Sequence, residues 1–299
     1  MTSSANTKAP SFMPTYTKVW HTKVHPTISP TRPENSAKNK VVVITGGGIG
    51  TGAAIAKAFA EAGAKAVGLI GRRENHLKTS AETLSSISTS IKIEYAVADI
   101  TDKSALESAF EKFEGSLGKI DVLVSNAGYL SDIVPLQKAD DEDWWRGFEI
   151  NVKGTFNVIK SFLFHAGSNA VFLGVNAGLA TSSEPPGLSS YISSKIACAR
   201  MLECMQAEHP EIRVISVHPG VVDTAMTEKT KVPPMDDASL VAGLMVWLAG
   251  PEANFMKGRF MWANFDIDEL KERAAEIEKG NELRLGLLGL TPPEMFFKK

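Results

Sequence analysis

The residues of this sequence best suited to proton transfer are Tyr191 and Lys195, which are separated by Ile192, Ser193 and Ser194. On a helix, side chains at positions i and i+4 are neighbours, so the phenol and the ammonium group lie on one face. A free phenol has a pKa of about 10, and a nearby ammonium group lowers that pKa because it favours the phenolate. The pair is therefore a candidate acid/base, although the same spacing is common on surface helices.

A second group of residues suits the binding of a diphosphate. Gly46, Gly50 and Gly52 lie between a β-branched run and an Ala-rich helical stretch. A diphosphate needs backbone N–H donors, a helix N-terminus and space that a Cβ atom would fill, and this stretch offers all three. Ile49 belongs to the same loop, but its side chain cannot pair with a 2′-phosphate. The loop predicts a nucleotide site, and the alternative is a tight turn.

The second apolar run ends in Gly71, Arg72 and Arg73. A carboxylate at this point binds both ribose hydroxyl groups, whereas an arginine pairs with the 2′-phosphate of NADP(H). The sequence therefore favours NADP(H) as the cofactor, with Arg72 and Arg73 as the phosphate ligands, and a solvated basic turn is the alternative. Asp99 follows the third run, where it can accept a hydrogen bond from the adenine amine or serve as a turn or cap residue.

These residues need a scaffold that gathers them at one edge. From Lys40 onward, short apolar runs alternate with helical stretches, which predicts βαβ units and a parallel sheet. The predicted strands are Val41–Ile44, Ala66–Ile70, Ile93–Ala98, Asp121–Val124, Ala170–Val175 and Val214–Val217, and the predicted helices include Ala53–Ala62, Ala105–Phe113, Ala238–Ala249 and Asp266–Lys279. Right-handed crossovers place the strand C-termini at one edge, where open α/β sheets bind ligands.

The fold class that follows is α/β, a single doubly wound Rossmann-type domain with a central parallel sheet flanked by helices. A chain of 299 residues, 43% of them hydrophobic, can form one large core. We predict an N-terminal extended arm at residues 1–39 and a dinucleotide-binding and catalytic domain at residues 40–299, including a C-terminal helical segment. A transit peptide is the alternative for the first segment. The apolar stretch Leu283–Phe297 is expected to cap a subunit or pack against a partner.

Composition narrows the range of partners. A formal net charge of −2 offers no basic surface for nucleic acid, which favours a small-molecule substrate. No apolar run reaches the roughly 18 residues of a membrane helix. Cys198 and Cys204 do not face each other, and the six histidines form no ligand cluster. We therefore expect no membrane span, no metal, and a reduced protein in the cytoplasm.

Several motifs occur together in the order and approximate spacing of the short-chain dehydrogenase/reductase family, which the sequence resembles from about Lys40 to Gly258. They are Thr45-Gly46-x-x-x-Gly50-x-Gly52, Asn126-Ala127-Gly128, Asn151, Tyr191-x-x-x-Lys195, and Pro219-Gly220 with Thr224. The ends of the chain resemble those of fungal members. The resemblance implies an NADP-dependent oxidoreductase, and since family members pair the helices that carry Asn151 and Tyr191 between subunits, it also implies a homodimer or homotetramer.

The resemblance implies a role for each matching residue. Gly46, Gly50 and Gly52 would line the diphosphate, Asp99 and Ile100 would contact adenine, and Asn126, Ala127 and Gly128 would stabilise the sheet edge beside the ribose. Tyr191 would exchange a proton with the substrate oxygen, Lys195 would hold the nicotinamide ribose and lower the pKa of Tyr191, and Asn151 would anchor a water linked to Lys195. Pro219, Gly220, Val222 and Thr224 would position the nicotinamide, Thr224 by bonding to its carboxamide group. Simpler roles remain open for Asn151, as a helix residue bonded to backbone, and for Thr224, as a helix cap.

The walls of the substrate pocket are expected in the segments that follow strands, although their apolar content also suits ordinary core or interface. These segments are Tyr129–Val134, Leu179–Leu188 and Met226–Pro234.

The sequence departs from the family pattern at the end of the fifth strand. Members usually have Asn-x-Ser-Ser there, with the second serine orienting the carbonyl oxygen, whereas Asn176 and Ala177 occupy the positions of the two serines. The amide of Asn176 is one candidate replacement, and Thr181, Ser182 and Ser183 are others. Loss of one preorganised donor costs about 10²–10³ in kcat.

Three hypotheses follow from this departure. The leading hypothesis is an NADP(H)-dependent enzyme that interconverts a ketone and a secondary alcohol on a small or secondary-metabolite substrate. The second keeps the fold and the cofactor but assigns a non-redox reaction, such as that of a lyase, an isomerase or a cyclisation catalyst. The third is a redox-silent NADP-binding regulator.

Overall fold

A parallel sheet forms the centre of the molecule in the computed structural model, which describes residues 8–11, 13–182 and 185–286. Its seven strands follow the order β3-β2-β1-β4-β5-β6-β7, and every neighbouring pair is parallel. They are β1 (Val41–Thr45), β2 (Ala66–Gly71), β3 (Lys92–Val97), β4 (Ile120–Ser125), β5 (Ala166–Val175), β6 (Arg213–His218) and β7 (Phe260–Trp262). The strand order reverses between β1 and β4, which is where doubly wound sheets bind ligands.

Helices cover both faces of this sheet. They are α1 (Gly50–Glu61), α2 (Glu74–Ile87), α3 (Lys103–Leu117), α4 (Asp141–Phe148), α5 (Thr155–His165), α6 (Leu179–Ser182), α7 (Ser189–Glu208), α8 (Ala225–Thr230), α9 (Ala238–Ala249), α10 (Ile267–Glu272) and α11 (Ala274–Lys279), with a π-helical segment, Glu149–Gly154, between α4 and α5. In the part of the chain that the structure describes, no helix combines the length and apolarity needed to cross a membrane.

The strands feed two separate cores because their side chains alternate between the faces of the sheet. In β1, Val42 and Ile44 belong to one buried cluster, whereas Val41 and Val43 belong to the other. The first cluster includes side chains of α1 and α9, and the second includes side chains of α3 and α5. Burial on both faces explains why the predicted strands read as continuous apolar runs.

The segment before β1 lies against the domain as an arm. The N–H of His21 donates to the carbonyl oxygen of Asn264 at 2.9 Å, and the Arg32 guanidinium forms an ion pair with Glu252 at 2.8 Å. The Trp20 ring is 4% exposed and meets Trp262 edge-on, with the ring centroids 6.2 Å apart. The arm is thus packed into the first core. A domain boundary at residue 39 stays a prediction.

The C-terminal part differs from its prediction in two respects. The seventh strand was not predicted, and the single helix expected at Asp266–Lys279 is two helices that meet at Arg273. The guanidinium of Arg273 lies 3.9 Å from the centroid of the Tyr16 ring, so the break places this side chain on the arm. Of the predicted packing segment Leu283–Phe297, residues after Gly286 lie outside the described ranges, and the Leu283 carbonyl accepts from the Phe260 N–H at 2.7 Å.

Candidate active site

Tyr191 and Lys195 lie in the first turns of α7, at the C-terminal end of β5. Their side chains share one face of the helix as predicted, with the Lys195 Nζ atom 5.8 Å from the centroid of the Tyr191 ring. Lys195 is 5% exposed, and its Nζ atom donates to the carbonyl oxygen of Val175 at 3.1 Å. An ammonium group carries three donors. Two donors of Lys195 therefore remain for other acceptors.

Gly128 provides open space beside this ammonium group. A Cβ atom on Gly128 would lie 3.3 Å from Asn151 Oδ1, 3.5 Å from Lys195 Nζ and 3.8 Å from the terminal methyl group of Met226. Four parts of the chain therefore converge on one point. They are Gly128 in the loop after β4, the π-helical segment, α7 and α8. The absence of a side chain at position 128 keeps that point open.

Asn151 fixes the loop that follows β4. Its Oδ1 atom accepts from the Tyr129 N–H at 2.8 Å, and its Nδ2 atom donates to the Tyr129 carbonyl at 2.9 Å and to the Ser194 hydroxyl at 2.9 Å. The Cys198 thiol donates to the Asn151 carbonyl at 3.0 Å. Single π-helical turns are frequent at functional sites. The structure thus shows Asn151 bonded to backbone, and its role in anchoring a water stays a prediction.

The pKa of Tyr191 moves in the direction opposite to the predicted one. Burial, with a smaller contribution from the Cys198 thiol, raises the pKa of Tyr191 to about 12. Burial also lowers the pKa of Lys195. The ammonium group stands beside the ring and bonds to Val175, so desolvation of the phenol outweighs its attraction for a phenolate. The Tyr191 hydroxyl approaches the Met226 sulfur at 3.9 Å.

Asn176 is built into the backbone framework at the end of β5. It is 3% exposed, and its Nδ2 atom donates to the Lys195 carbonyl at 3.2 Å while its Oδ1 atom accepts from the Ala177 N–H at 2.8 Å. A buried amide needs such partners. The Nδ2 atom carries a second N–H that no described bond uses, so a role of the Asn176 amide at the substrate oxygen stays a prediction.

The hydroxyl groups that precede Tyr191 are also engaged elsewhere. Thr181 donates to the Gly178 carbonyl at 3.0 Å, Ser189 accepts from the Trp144 indole N–H at 3.0 Å, and Ser190 donates to the Trp144 carbonyl at 2.5 Å. Ser183 and the side chain of Ser182 lie outside the described residues. Among the described hydroxyl groups before α7, none is bonded to Tyr191.

The Gly-rich loop fits an anionic diphosphate. Gly46 and Gly50 have φ values of +67° and +55°, which L side chains rarely adopt. A Cβ atom on Gly52 would lie 2.2 Å from the Gly46 carbonyl oxygen, so only glycine allows this packing. No side chain caps α1, whose N-cap residue is Ile49. The first N–H groups of the helix therefore remain available to an anion.

Asn126 joins the ends of β1 and β4. Its Nδ2 atom donates to the Thr45 carbonyl at 3.1 Å, and the Thr45 hydroxyl accepts from the N–H groups of Asn126 and Ala127 at 3.0 Å and 3.1 Å. This network holds the Gly-rich loop next to the residues that follow β4. The predicted position of this sheet edge beside a ribose stays a prediction.

The residues predicted to select the cofactor lie after β2 and β3. Arg72 is 63% exposed, and its Nη1 atom is 3.7 Å from Asp99 Oδ2. Arg73 is exposed and is the N-cap residue of α2. The Ile100 side chain is 5% exposed and lies where a Cβ atom on Gly154 would be 2.6 Å away. Ile100 is thus a core side chain, and only its backbone is left for a contact with adenine.

A hydrogen bond to the Asp236 carboxylate fixes the backbone of the segment that follows β6. Gly220 has a φ of +87°, and the Asp236 carboxylate accepts from the Val221 N–H at 2.7 Å. Thr224 is the N-cap of α8, where its hydroxyl accepts from the Thr227 N–H at 3.2 Å in a capping box. The helix-cap interpretation of Thr224 is therefore the one that the structure shows, and its bond to a carboxamide stays a prediction.

Two neighbours of the site, Met226 and Tyr129, had no individual role in the sequence predictions, which named them only as the first residues of two segments expected to form the walls of the substrate pocket. Met226 lies over the Tyr191 hydroxyl, and no chemical property of a methionine could have identified it from sequence. The Tyr129 hydroxyl donates to Asp143, a bond that together with burial raises the pKa of Tyr129 to about 12. Lys229 stands 5.4 Å from the Tyr129 ring centroid. Tyr129 directly follows the motif Asn126-Ala127-Gly128, and this position in the sequence could have predicted a second tyrosine near the site.

The sequence is similar to those of known short chain dehydrogenases. The family model of the short chain dehydrogenases matches residues 40–233. A short chain dehydrogenase/reductase of Claviceps purpurea is 33% identical over 286 residues, covering 92% of this chain and 95% of the relative. A short chain dehydrogenase of Monascus purpureus is 29% identical over 292 residues, covering 93% of this chain and 99% of the relative.

The fold is also found in solved structures. A short chain dehydrogenase from Shigella flexneri, complexed with NADP, superposes with a TM-score of 0.72 at 21% identity, covering 77% of this chain and 99% of that one. At this level of identity the likeness concerns the fold, including the parallel sheet and its helices. No group of three or more metal-ligating side chains occurs within the described ranges.

Proposed function

Because the chain belongs to the short-chain dehydrogenase family, we propose that it interconverts a ketone and a secondary alcohol with NADP(H), on a small or secondary-metabolite substrate. The observation that carries this proposal is the placement of Tyr191 and Lys195 on α7, beside the open point at Gly128. The Gly-rich loop that fits a diphosphate lies at the same edge of the sheet.

The proposed mechanism divides the reaction between cofactor and protein. When bound, NADPH supplies a hydride to the carbonyl carbon. Tyr191 donates its phenolic proton to the carbonyl oxygen, and its raised pKa keeps that proton in place at neutral pH. The Lys195 ammonium group, fixed by Val175, stabilises the phenolate that remains and has two donors for the ribose. Asn151 holds the loop above this pair.

A panel of ketones tests the reaction. The purified protein should consume NADPH with at least one ketone, and Tyr191→Phe should lower kcat by about 10²–10⁴ because the proton donor is lost. Tyr16→Phe is the matched control, since Tyr16 lies in the arm under Arg273. Its kcat should equal that of the wild type. Tight NADPH binding without turnover of any carbonyl, or product formation unaffected by Tyr191→Phe, contradicts the proposal.

The preference for NADP(H) rests on Arg72, which is exposed after β2 where a 2′-phosphate would lie. The Shigella flexneri protein that shares this fold is complexed with NADP, which supports the same choice here. Arg72→Ala should weaken NADPH binding by about tenfold to a hundredfold and leave NADH binding nearly unchanged, because a charge-assisted hydrogen bond is lost. Isothermal titration with both cofactors measures this, with Arg200→Ala as an exposed-arginine control. Equal losses for both cofactors refute the assignment.

One observation favours a second candidate, a non-redox lyase, isomerase or cyclisation catalyst. Ala177 carries no hydroxyl group, and both ends of the Asn176 amide are bonded to backbone. The usual hydroxyl donor beside Tyr191 is therefore missing, and the Asn176 amide has one N–H left to take its place. Product formation that proceeds without net change in NADPH, and survives Tyr191→Phe, would support this candidate. The redox-silent regulator is the weaker alternative, because Tyr191, Lys195 and Asn151 are all in place.

We also propose a homodimer or homotetramer formed through α5 and α7. The exposed side chains Phe156, Phe164 and Ile196 lie on these helices, with exposures of 49%, 77% and 43%. Exposed apolar surface of this kind marks protein interfaces. Light scattering should report a mass above that of one chain, and Phe164→Lys should shift it toward the monomer. We also propose that the protein is located in the cytoplasm. The division into an arm at residues 1–39 and a catalytic domain at residues 40–299 is likewise a proposal.

A further inference from the structure

Met226 lies across the hydroxyl group of Tyr191, and the proposed reaction makes no use of its sulfur. This sulfur is 3.9 Å from the Tyr191 hydroxyl oxygen. The terminal methyl group points toward the open position at Gly128, where it would lie 3.8 Å from a Cβ atom. A thioether sulfur is only a weak hydrogen-bond acceptor. The candidate proton donor therefore faces a side chain that accepts its hydrogen poorly and that can be oxidised.

The helix that carries Met226 is held at both ends. Near the start of α8, the Thr227 hydroxyl donates to the Val222 carbonyl at 2.7 Å. Near its end, the Lys229 Nζ atom donates to the Leu130 carbonyl at 3.2 Å. The backbone at position 226 is therefore fixed beside Tyr191. The flexible methionine side chain, with three rotatable bonds, can still turn about the hydroxyl group.

Hydrogen-bond donors exceed acceptors around this sulfur. Among the described residues, the Tyr191 hydroxyl has no acceptor other than the sulfur. The Lys195 Nζ atom would lie 3.5 Å from the same Cβ atom on Gly128 and uses one of its three donors on Val175. Donors that lack a good acceptor in a buried place are costly. A strong acceptor at the position of the sulfur would therefore be stabilised.

Oxidation of Met226 to the sulfoxide supplies such an acceptor. In the reaction with hydrogen peroxide, the sulfur lone pair forms an S–O bond to one peroxide oxygen and the O–O bond breaks. The other oxygen leaves as water after taking the proton of the first, so the thioether is oxidised and the peroxide is reduced. An S–O bond is about 1.5 Å long, so the new oxygen can come within about 3 Å of the Tyr191 hydroxyl oxygen, the range of an O–H···O bond.

A small oxidant can reach Met226 more easily than the methionines of the core. The Met226 side chain is half-buried, whereas Met205, Met245, Met256 and Met261 are at most 3% exposed. The space beside the Tyr191 hydroxyl is also the one that a substrate has to enter. Methionine sulfoxide is reduced enzymatically, so oxidation at this residue is reversible.

We propose that Met226 is a site of reversible oxidation by peroxide, and that its sulfoxide oxygen accepts the Tyr191 hydrogen bond in place of the substrate carbonyl. The oxidised enzyme keeps its own proton donor engaged, and the substrate competes with this internal acceptor. The loss of activity that follows rests on the proposed reaction, whereas the bond between the sulfoxide and Tyr191 does not.

Carbon-13 NMR of the full-length protein, labelled at the Cζ atom of tyrosine, tests this bond without any substrate. The chain has four tyrosines, and Tyr191→Phe identifies the resonance of Tyr191. Once mass spectrometry shows one added oxygen on the Met226 peptide, the Tyr191 resonance should have shifted, while that of Tyr95 on β3 stays in place. An unchanged Tyr191 resonance in Met226-oxidised protein overturns the proposal. A Met226 that stays reduced under conditions that oxidise the half-buried Met13 also overturns it.

Two variants assign the shift to the sulfur of Met226. The Tyr191 resonance of Met226→Leu should not respond to peroxide. Met13→Leu is the matched control, because Met13 is also half-buried but lies in the arm, and it should respond as the wild type does. Each protein carries Cys204→Ser, since Cys204 is an exposed thiol that peroxide also oxidises. A response that persists in Met226→Leu overturns the proposal.

Ketone reduction measures the consequence for activity. Oxidation should lower kcat/KM of the wild type about tenfold, mainly through a higher KM, because the substrate has to displace one hydrogen bond from the proton donor. Methionine sulfoxide reductases for both epimers should restore kcat/KM, whereas dithiothreitol alone should not. An equal loss in Met226→Leu, or a loss that dithiothreitol reverses, overturns the proposal. If the unoxidised protein reduces no ketone, the proposed reaction fails, and the Tyr191 resonance still decides whether the sulfoxide bonds to Tyr191.

Discussion

At the scale of single residues, the raised pKa of Tyr191 affects the two directions of the proposed reaction differently. Reduction needs the protonated phenol, and a pKa of about 12 keeps that form dominant at neutral pH. Oxidation needs the phenolate, which burial disfavours. Lys195 and Val175 are in contact, so the ammonium group is fixed near the ring without reversing this effect. At neutral pH the raised pKa therefore keeps Tyr191 in the protonated form that reduction uses.

The pH dependence of the two directions should differ accordingly. Below a pKa of about 12 the phenolate fraction of Tyr191 rises about tenfold per pH unit, so kcat/KM for alcohol oxidation should rise steadily from neutral pH to about pH 10 without a plateau. Reduction should stay nearly flat over the same range. Initial rates in both directions at saturating cofactor measure this. A plateau of the oxidation rate near neutral pH would show that the cofactor-bound phenol has a lowered pKa.

Ala177 offers a second residue-scale prediction. If the enzyme is a reductase with a missing donor, Ala177→Ser should raise kcat for ketone reduction by about tenfold, which is less than the about 10²–10³ of a donor in a fully built oxyanion hole. Ala180→Ser is the matched control, since Ala180 lies three residues further along, in α6, and is 7% exposed against 6% for Ala177. Steady-state kinetics with the ketone that the wild type reduces fastest measure kcat for both variants. An equal effect of both changes, or no gain, would favour the non-redox candidate.

At the scale of secondary-structure elements, the π-helical segment Glu149–Gly154 connects the loop after β4 to α7. Asn151 bonds to Tyr129 on one side and to Ser194 on the other, so it fixes the distance between two elements that carry the site. In the proposed reaction the segment would act through position, because Asn151 bonds to the neighbours of Tyr191 and Lys195.

Replacement of Asn151 should separate this positioning role from stability. Asn151→Ala loses three hydrogen bonds and should lower the free energy of unfolding by about 1–3 kcal/mol. It should also lower kcat at saturating cofactor. Asn157→Ala is the control, because Asn157 is a buried asparagine of α5 that donates to the Ile100 carbonyl at 3.0 Å. That variant should lose stability with kcat retained, and an equal loss of kcat in both would indicate a general structural effect.

The sequence predicted the strands more completely than the hydrogen bonds of the side chains at their ends. Six of the seven strands were predicted. Most of them are apolar runs buried on both faces, although the edge strand β3 is only partly buried, whereas β7 has three residues and depends on its pairing with β6. The motif residues did come together at one edge. The partners of Asn176 were not predicted, because polar side chains take whichever backbone groups folding leaves unpaired, whereas the capping role of Thr224 was one of the two predicted for it. The pKa of Tyr191 depends on burial, which no local motif encodes.

At the scale of the whole molecule, the arm ties the beginning of the chain to its C-terminal helices. Arg32 and Lys271 both bond to Glu252, and these contacts lower the pKa of Glu252 to about 2. The backbone N–H groups of Lys18 and Val19 donate to the Glu269 carboxylate at 2.8 Å and 2.9 Å. The arm therefore contributes to the stability of the domain, and release of the arm should be measurable as a loss of that stability.

Acid should weaken the attachment of the arm through His25. Its ring stacks on His21 with centroids 3.8 Å apart, and its Nε2 atom is buried without a described partner. Burial and the neighbouring His21 lower the pKa of His25 to about 4, against the opposing effects of Asp266 and Asp268. Because the unfolded chain has a pKa of about 6.5 at this residue, it binds more protons between these values. The stabilisation is thus complete above about pH 6.5 and is lost as the pH falls toward 4.

Urea unfolding at several pH values between about 7 and 4.5 measures this effect. The free energy of unfolding of the wild type should fall with decreasing pH, to which the buried His218, with a pKa also lowered to about 4, contributes. His25→Gln removes one titrating group and should reduce the slope by up to about 1.4 kcal/mol per pH unit. His209→Gln, at the surface, should keep the slope of the wild type. A slope that is unchanged in His25→Gln would show that His25 does not link pH to the attachment of the arm.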